Sequence, residues 1–175
     1  MALQNGRGAT ANRQVTSVLI SGASFAGLAT AWWMNQLGYS VTIVEISSGL
    51  RKGGTPVDIR DGVIDVVKRM NLLDRIISAS LPSRPVTFLD AAGTPLFQVQ
   101  GQKEEEPEAS YEIERNVLLD MLFNEVNDNV EFLFSDSISG LEQQSANDVS
   151  VTFSSGVTRS FSLVLGCDGT HSAVR

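Results

Sequence analysis

Cysteine and histidine are almost absent from this sequence, and their scarcity limits the kinds of site that the chain can build. Cys167 is the single cysteine among 175 residues, and His171 is the single histidine. One cysteine excludes an internal disulfide framework and any cysteine-based metal cluster. We therefore predict a chain without disulfides and without a metal site.

Positive charge and long apolar runs are also scarce. The 13 lysines and arginines stand against 20 aspartates and glutamates, so the net charge is −7 and no basic stripe for nucleic acid is visible. Since no apolar stretch reaches the ~18–20 residues of a membrane span, we predict no stable membrane insertion. Residues 1–14 are polar and lack an apolar signal-peptide core, which favours a flexible leader and a cytoplasmic protein.

The strongest pattern in the chain lies in residues 15–45, which predict a strand, a turn, a helix and a second strand. An apolar, β-branched run of strand length extends from Val15 to Ser21, and a second such run ends at Glu45. Between them, helical spacing begins at Leu28 and continues until a glycine marks the stop. This order predicts a site for the adenosine half of a dinucleotide. An ordinary βαβ crossover with a glycine turn is the alternative.

Each residue type in the turn has a separate physical reason. Gly22 permits a sharp exit from the strand, and Gly27 lets the helix pack close to the strands. The N–H groups of the first helical turn suit a pyrophosphate. Glu45 lies 23 positions after Gly22, close to the ~20 expected for a carboxylate that accepts ribose hydroxyls. Ser24 departs from the G-x-G-x-x-G pattern because it replaces the middle glycine.

The rest of the sequence predicts short helices, a hairpin and a run of antiparallel strands. In chain order we predict a helix that begins at Asp61 as N-cap and ends near Met70, a short helix over 72–77, a hairpin over 86–99, a helix over 114–126, a strand over 130–134, a meander over 137–161 and a buried strand over 163–167. The apolar face of the 114–126 helix comprises Val117, Leu118, Met121, Leu122 and Val126. The arrangement is a parallel α/β sheet with an antiparallel excursion, unlike the strict alternation of a plain nicotinamide dehydrogenase.

Three separate segments, in this order, resemble the single-component FAD-dependent aromatic hydroxylases, the para-hydroxybenzoate-hydroxylase-like group A flavoprotein monooxygenases. They are the 22–27 turn with Glu45, the helix that contains Arg115, and residues 166–175, which are similar to the family's Asp-Gly motif, G-x-D-G-x-x-S-x-V-R. The loop over 53–60 resembles the glycine-pair loop of the branch that includes tetracycline-inactivating monooxygenases.

The resemblance implies a fold and a division of the chain. The implied fold is α/β and Rossmann-like, an FAD-binding fold of the glutathione-reductase type with an antiparallel β meander and a β-hairpin insertion. Residues 15–175 would form the N-terminal part of an FAD-binding domain, and the hairpin, about 86–99, would belong to the substrate-binding layer. Family members continue beyond the Asp-Gly motif, so we expect a fold that is incomplete at the C-terminus. For a truncated product this predicts weak flavin binding and no hydroxylation.

The resemblance also implies cofactor-binding positions. The turn would hold the FAD pyrophosphate, Glu45 with Ile46 would bind the adenosine end, and Asp168 would lie near FAD and the NADPH path. A helix N-cap is the alternative role for Asp168. The full predicted set is Gly22, Ala23, Ser24, Phe25, Ala26, Gly27, Glu45, Ile46, Arg51, Asp58, Arg115 and Asp168.

Three of these positions lie in the middle of the chain. Arg115 matches the helix arginine that reaches FAD in the family. A planar cationic fork suits phosphate and ring oxygens. The alternative is a surface arginine paired with Glu112 or Glu114. Arg51 and Asp58 fall in the loop that approaches the flavin and the nicotinamide in relatives, with a solvated arginine and a turn-forming aspartate as the alternatives.

The chemistry implied by the resemblance belongs mainly to the flavin. NAD(P)H reduces FAD, dioxygen adds at C4a, and the hydroperoxyflavin delivers an oxygen atom to an electron-rich carbon of an aromatic or polyketide-like small molecule. This chemistry needs no protein nucleophile, and we assign no catalytic residue. The implied partners are FAD, NAD(P)H, dioxygen and the substrate, and we expect a monomer or a weak dimer.

Other functions stay open at this point. Residues 22–26 nearly spell the hydrolase elbow G-x-S-x-G, and Ser24, an aspartate and His171 follow the chain order of a serine hydrolase. Only one strand precedes Ser24, so the usual strand and loop that supply the second oxyanion N–H are missing. A nucleotide-binding fragment without turnover is another alternative, and so is a flavin halogenase or reductase.

Overall fold

The computed structural model describes residues 16–82, 85–99 and 110–170, together with Ser172 and Val174. The predicted leader over 1–14, the start of the first strand at Val15, and His171 lie outside the described residues. The chain divides into two compact units, one formed by residues 1–49 and 126–175 and the other by residues 50–125.

The described elements include the predicted strands and helices in their predicted order, together with two short strands, 57–59 and 111–113 (β3 and β6), that were not predicted. They are β1 (Ser17–Ser21), α1 (Phe25–Gln36), β2 (Ser40–Glu45), β3 (Val57–Ile59), α2 (Gly62–Arg69), α3 (Leu73–Ala79), β4 (Val86–Leu89), β5 (Pro95–Val99), β6 (Tyr111–Ile113), α4 (Arg115–Asn124), β7 (Val130–Phe134), β8 (Ile138–Ser145), β9 (Asp148–Phe153), β10 (Thr158–Phe161) and β11 (Leu163–Gly166). None of the described helices has the length and apolar character needed to cross a membrane.

The first unit is built on a parallel sheet of four strands in the order β11-β1-β2-β7. Helix α1 packs against β1 and β2. On the other face, the antiparallel sheet β10-β9-β8 contributes to a buried cluster with the central strands. Its members are Leu19, Val44, Ile138, Val151, Phe153 and Phe161. Because both faces of the central strands are covered, β1 and β2 are almost continuously apolar rather than alternating.

The second unit combines two small antiparallel pairs with three helices. Strand β3 pairs with β6, and β4 pairs with β5 to form the predicted hairpin. The buried apolar residues of the second unit are Ile59, Val67, Met70, Leu72, Ile76, Ile113, Leu118, Leu119 and Leu122. The hairpin itself is exposed along both strands, with Phe88 and Phe97 stacked across it at a ring distance of 4.6 Å.

The parallel sheet, the meander and the hairpin confirm the predicted fold class, but some local predictions were wrong. The apolar strand expected to be buried, β11, has Leu163 39% exposed, since β11 stands at the end of the described sheet order. On α4, Leu119 is buried and Val117 is exposed, because the helix turns a slightly different face inward than the spacing predicted. Asp61 occupies the N-cap of α2 without a side-chain capping bond, at φ 52° rather than in the extended conformation that capping requires.

Candidate functional site

The turn between β1 and α1 has room for glycine alone at two positions. Gly22 has φ +103°, and a Cβ there would lie 2.7 Å from the carbonyl oxygen of Cys167. A Cβ on Gly27 would lie 1.8 Å from the carbonyl oxygen of Gly22. Both distances are shorter than any real contact, so the backbone of this turn is packed as tightly as the chain allows. This geometry brings the first turn of α1 close to the end of β1, as the sequence predicted.

The amino end of α1 lies at the carboxyl edge of the parallel sheet. Ser24 is its N-cap in an extended conformation, and its carbonyl oxygen accepts the N–H of Leu28 at 2.9 Å. The Ser24 side chain makes no capping bond. Phe25 and Ala26 begin the helix. The first N–H groups of an α-helix have no partner within the helix and carry the positive end of its dipole, so this edge suits an anionic group.

Glu45 is a buried carboxylate that binds backbone N–H groups of the glycine turn and of the segment after β2. It is 6% exposed. Its Oε2 accepts the N–H of Ala23 at 2.8 Å, and its Oε1 accepts the N–H of Ser47 at 3.0 Å. Glu45 thereby links the end of β2 to the glycine turn. Ile46, the next residue, is 69% exposed.

Asp168 reaches the same turn from the end of β11. Its Oδ2 accepts a hydrogen bond from the Ser21 hydroxyl at 2.9 Å, and Ser21 is buried. The N–H of Cys167 donates to the carbonyl oxygen of Ser21 at 2.8 Å, which extends the parallel pairing to this point. Two carboxylates that are distant in the sequence, Glu45 and Asp168, therefore flank the turn. The structure brings these together with residues 22–27 and Ile46.

A second group of predicted residues lies in the other compact unit. Arg115 begins α4, and its Nη1 donates to the carbonyl oxygens of Arg51 at 3.1 Å and Gly53 at 3.2 Å. Arg115 is thus engaged with the 51–54 loop, a contact that neither sequence alternative included. Asp58 lies on β3, where it is exposed and faces Glu112 of β6 in the strand register. The structure brings Arg51 and Arg115 together.

Sequence reasoning missed the residues that hold these predicted positions in place. Ser21 holds Asp168, and the N–H of Ser47 binds Glu45. In the second group, Asn116 Oδ1 accepts the N–H of Gly53 at 2.7 Å. The only sequence signal for the role of Ser21 was its place as a polar residue at the end of an apolar strand. The only signal for Asn116 was its place next to Arg115.

Some of the acidic residues with lowered pKa values serve the packing of the meander. The Arg159 guanidinium, with a hydrogen bond from Thr42, holds the pKa of Glu131 below its ordinary value. Arg159 contacts both carboxylate oxygens of Glu131, at 3.0 and 2.8 Å. Hydrogen bonding by Ser155 lowers the pKa of Asp136 in the same way. The Glu131 pair joins β7 to β10, the Asp136 contact joins the β7–β8 turn to the β9–β10 turn, and we assign both structural roles.

The parallel sheet and the glycine turn are typical of nucleotide-binding α/β domains, in which the ligand binds at the carboxyl ends of the strands. A family model described as an FAD binding domain matches residues 15–175. The chain therefore belongs to this family of FAD-binding domains, which confirms the family resemblance that the sequence motifs indicated.

Individual relatives and a solved structure are similar to most of this chain. Rv1260 of Mycobacterium tuberculosis, an uncharacterized protein, is 42% identical over 162 residues, covering 91% of this chain and 43% of that protein. A flavin-dependent monooxygenase from an unknown prokaryotic organism is 35% identical over 159 residues, covering 90% and 41%. The crystal structure of tetracycline destructase Tet(55) matches with a TM-score of 0.81 at 34% identity, covering 92% of this chain and 40% of that one. The chain spans less than half of the length of each relative.

Proposed function

We propose that this protein acts as an FAD-dependent monooxygenase that consumes NAD(P)H and hydroxylates an aromatic or polyketide-like small molecule. The observation that carries the FAD part is the tight turn at Gly22 and Gly27, where a single Cβ would collide with backbone atoms. Such a turn brings the first N–H groups of the helix within reach of a pyrophosphate.

The residues around the turn fit the adenosine half of FAD. We assign the pyrophosphate to the backbone of residues 22–27 and the ribose hydroxyls to Glu45. An ionised carboxylate offers about four acceptor positions, so holding two backbone N–H groups is compatible with accepting from ribose hydroxyls as well. Ile46 adds an exposed apolar side chain beside Glu45, which suits the face of an adenine ring.

The remaining predicted positions are assigned to the rest of the cofactor system. We assign Arg115 to an FAD oxygen, since a guanidinium presents a planar fork of donors. Arg51, Asp58 and Asp168 are proposed to approach the flavin and the nicotinamide. Their positions toward FAD are predictions from the family resemblance.

When bound, FAD supplies electron transfer from NAD(P)H and the activation of dioxygen. The described residues of this chain have other tasks. The turn and Glu45 bind and orient the adenosine half, and Ser21 holds Asp168 in one position at the sheet edge. No step in this scheme calls for a side-chain nucleophile from the chain.

The substrate class rests on relatives. The match to tetracycline destructase Tet(55) at 34% identity supports a polycyclic, polyketide-like molecule over a small amino acid or sugar. The 35% identity to a flavin-dependent monooxygenase supports oxygen transfer over a halogenation or a reduction alone.

Equilibrium dialysis against FAD tests the proposal at its first step. For the wild-type chain we expect more oxidised-flavin absorption in the protein chamber than in the buffer chamber. For Gly27→Ala we expect equal absorption in the two chambers. Anaerobic addition of NADPH or NADH then tests the second step, because the bound flavin absorption is expected to bleach. Failure of both this chain and a version extended beyond residue 175 to take up FAD would contradict the proposal, and bound FAD that neither nicotinamide bleaches would contradict the NAD(P)H part.

A further inference from the structure

The 51–54 loop is held by side chains from one side of helix α4. Asn116 Oδ1 accepts the N–H of Gly53 at 2.7 Å. Arg115 Nη1 donates to the carbonyl oxygen of the same glycine at 3.2 Å and to that of Arg51 at 3.1 Å. Two consecutive helix residues therefore bind the N–H and the carbonyl oxygen of one loop residue. The contacts join positions more than 60 residues apart in the sequence.

The conformation of the loop fits this arrangement. Gly53 and Gly54 have φ values of +105° and +98°, which L side chains rarely adopt. A Cβ on Gly54 would lie 2.9 Å from Arg115 Cδ. The loop backbone is thus curled against the stem of Arg115, and the position of the guanidinium depends on the position of the loop.

The third contact between the loop and α4 is an ion pair between two side chains. Lys52 Nζ lies 2.8 Å from Asp120 Oδ2, but the two side chains are 56% and 44% exposed. Exposed ion pairs of this kind contribute about 0–1 kcal/mol. The Asn116 bond is an uncharged contact to the loop backbone itself, so it fixes the main-chain position directly.

We propose that Asn116 is a positioning residue that fixes the 51–54 loop and, through it, the guanidinium of Arg115. This inference rests on the proposed function, because it assigns to Arg115 a contact with FAD. Asn116 does not need to touch the cofactor. Its amide oxygen holds the Gly53 N–H, Gly53 in turn presents its carbonyl oxygen to Arg115, and the arginine is ordered before FAD arrives.

Trypsin reports on the loop independently of FAD, since Arg51 and Lys52 are both exposed cleavage sites within it and cleavage requires local opening. We compare the full wild-type chain with Asn116→Ala, Asn116→Asp and Asn124→Ala. Aspartate keeps an acceptor oxygen for the Gly53 N–H. Asn124 is an exposed asparagine at the other end of α4 and serves as the matched control.

We expect Asn116→Ala to raise the cleavage rate at Arg51 and Lys52 about fivefold and to weaken FAD binding by a similar factor, as the loss of one hydrogen bond predicts. Asn116→Asp is expected to restore both values to within about twofold of wild type, since it retains the acceptor. Asn124→Ala should match wild type in both measurements.

Cleavage at the wild-type rate in Asn116→Ala would overturn the inference that this residue fixes the loop. Faster cleavage with unchanged FAD affinity would overturn the link from the loop to Arg115. Lack of FAD uptake by both the wild-type chain and a version extended beyond residue 175 would contradict the proposed function instead, and the cleavage rates would still decide the role of Asn116 in the loop.

Discussion

The 22–27 turn and the 51–54 loop both depend on glycine, but they are held in different ways. The turn is fixed by backbone packing and by the buried carboxylate of Glu45, with no space for a single added carbon at Gly27. The loop is fixed by side chains of α4, and its four residues are exposed. The first region is therefore set by the fold itself, whereas the second can be adjusted by single side chains.

Substituting the turn should therefore have the largest effect. We expect Gly27→Ala to lower the free energy of unfolding by about 3 kcal/mol, the upper end of overpacking costs, because its Cβ would lie 1.8 Å from the Gly22 oxygen. FAD uptake should be lost as well. Gly62→Ala is the matched control, since that helical glycine has open space around its Cβ position. Denaturant unfolding and equilibrium dialysis measure both effects, and equal stability of the two variants would show that the turn is not packed as described.

Replacing the carboxylate that holds the turn should come next. Glutamine at position 45 keeps the shape but exchanges one acceptor oxygen for an NH₂ group, so one of the N–H groups of Ala23 and Ser47 loses its partner. We expect Glu45→Gln to cost about 1–3 kcal/mol of stability and to weaken FAD binding about tenfold. Glu142→Gln, at an exposed position on β8, is the control. FAD affinity unchanged in Glu45→Gln would refute the ribose assignment.

Substitutions in the 51–54 loop should have a smaller effect on stability and FAD binding. Two of them should separate the cost of backbone strain from the cost of a collision with Arg115. Gly53→Ala and Gly54→Ala both place a side chain at a positive φ, but only at Gly54 would the Cβ meet Arg115. We expect each to lose about 1 kcal/mol of stability through strain. FAD binding should be weakened about threefold more in Gly54→Ala, since a displaced guanidinium loses part of a hydrogen bond. Fluorescence titration with FAD measures this difference, and equal affinities would argue against a role for Arg115.

The smallest effect should be a pH dependence of stability that comes from Glu131, on β7, and its partner Arg159, on β10. The pKa of Glu131 is lowered by Arg159 in the folded chain, so its contribution is present above the ordinary glutamate pKa of about 4.3. It is lost as the pH falls through the lowered folded value. Because both side chains are substantially exposed, we expect about 0.5 kcal/mol. Denaturant unfolding at several pH values between 6 and 3 gives the free energy of unfolding as a function of pH. This free energy should change less with pH in Glu131→Gln than in Glu142→Gln, and an identical pH dependence would contradict the pairing.

Much of the fold was predictable because its signals are local. Strand β2 ends at Glu45 and β7 covers 130–134, as their apolar runs predicted. The glycine turn was predictable for the same reason, since glycine spacing alone reports where a helix must approach a strand. Where several helix faces are apolar, spacing is ambiguous, and Leu119 was therefore overlooked on α4.

The contacts that complete the candidate sites could not be predicted from the sequence. The Ser21 hydroxyl and Asp168 are 147 positions apart, and Asn116 and Gly53 are 63 apart. No periodicity connects such pairs, because only the topology of the sheet and the helix placement bring them together. Strand β6 was missed for a related reason: its three residues carry too short a pattern, and its pairing with β3 gives it its extended form.

A competition experiment on the wild-type chain tests whether the 22–27 turn and Glu45 form the adenosine site. If the 22–27 turn and Glu45 bind the adenosine half of FAD, ADP should displace bound FAD, and FMN, which lacks that half, should bind far more weakly. Flavin fluorescence during the titrations gives both values. FMN affinity equal to that of FAD, together with no displacement by ADP, would contradict the assignment of the turn as the adenosine site.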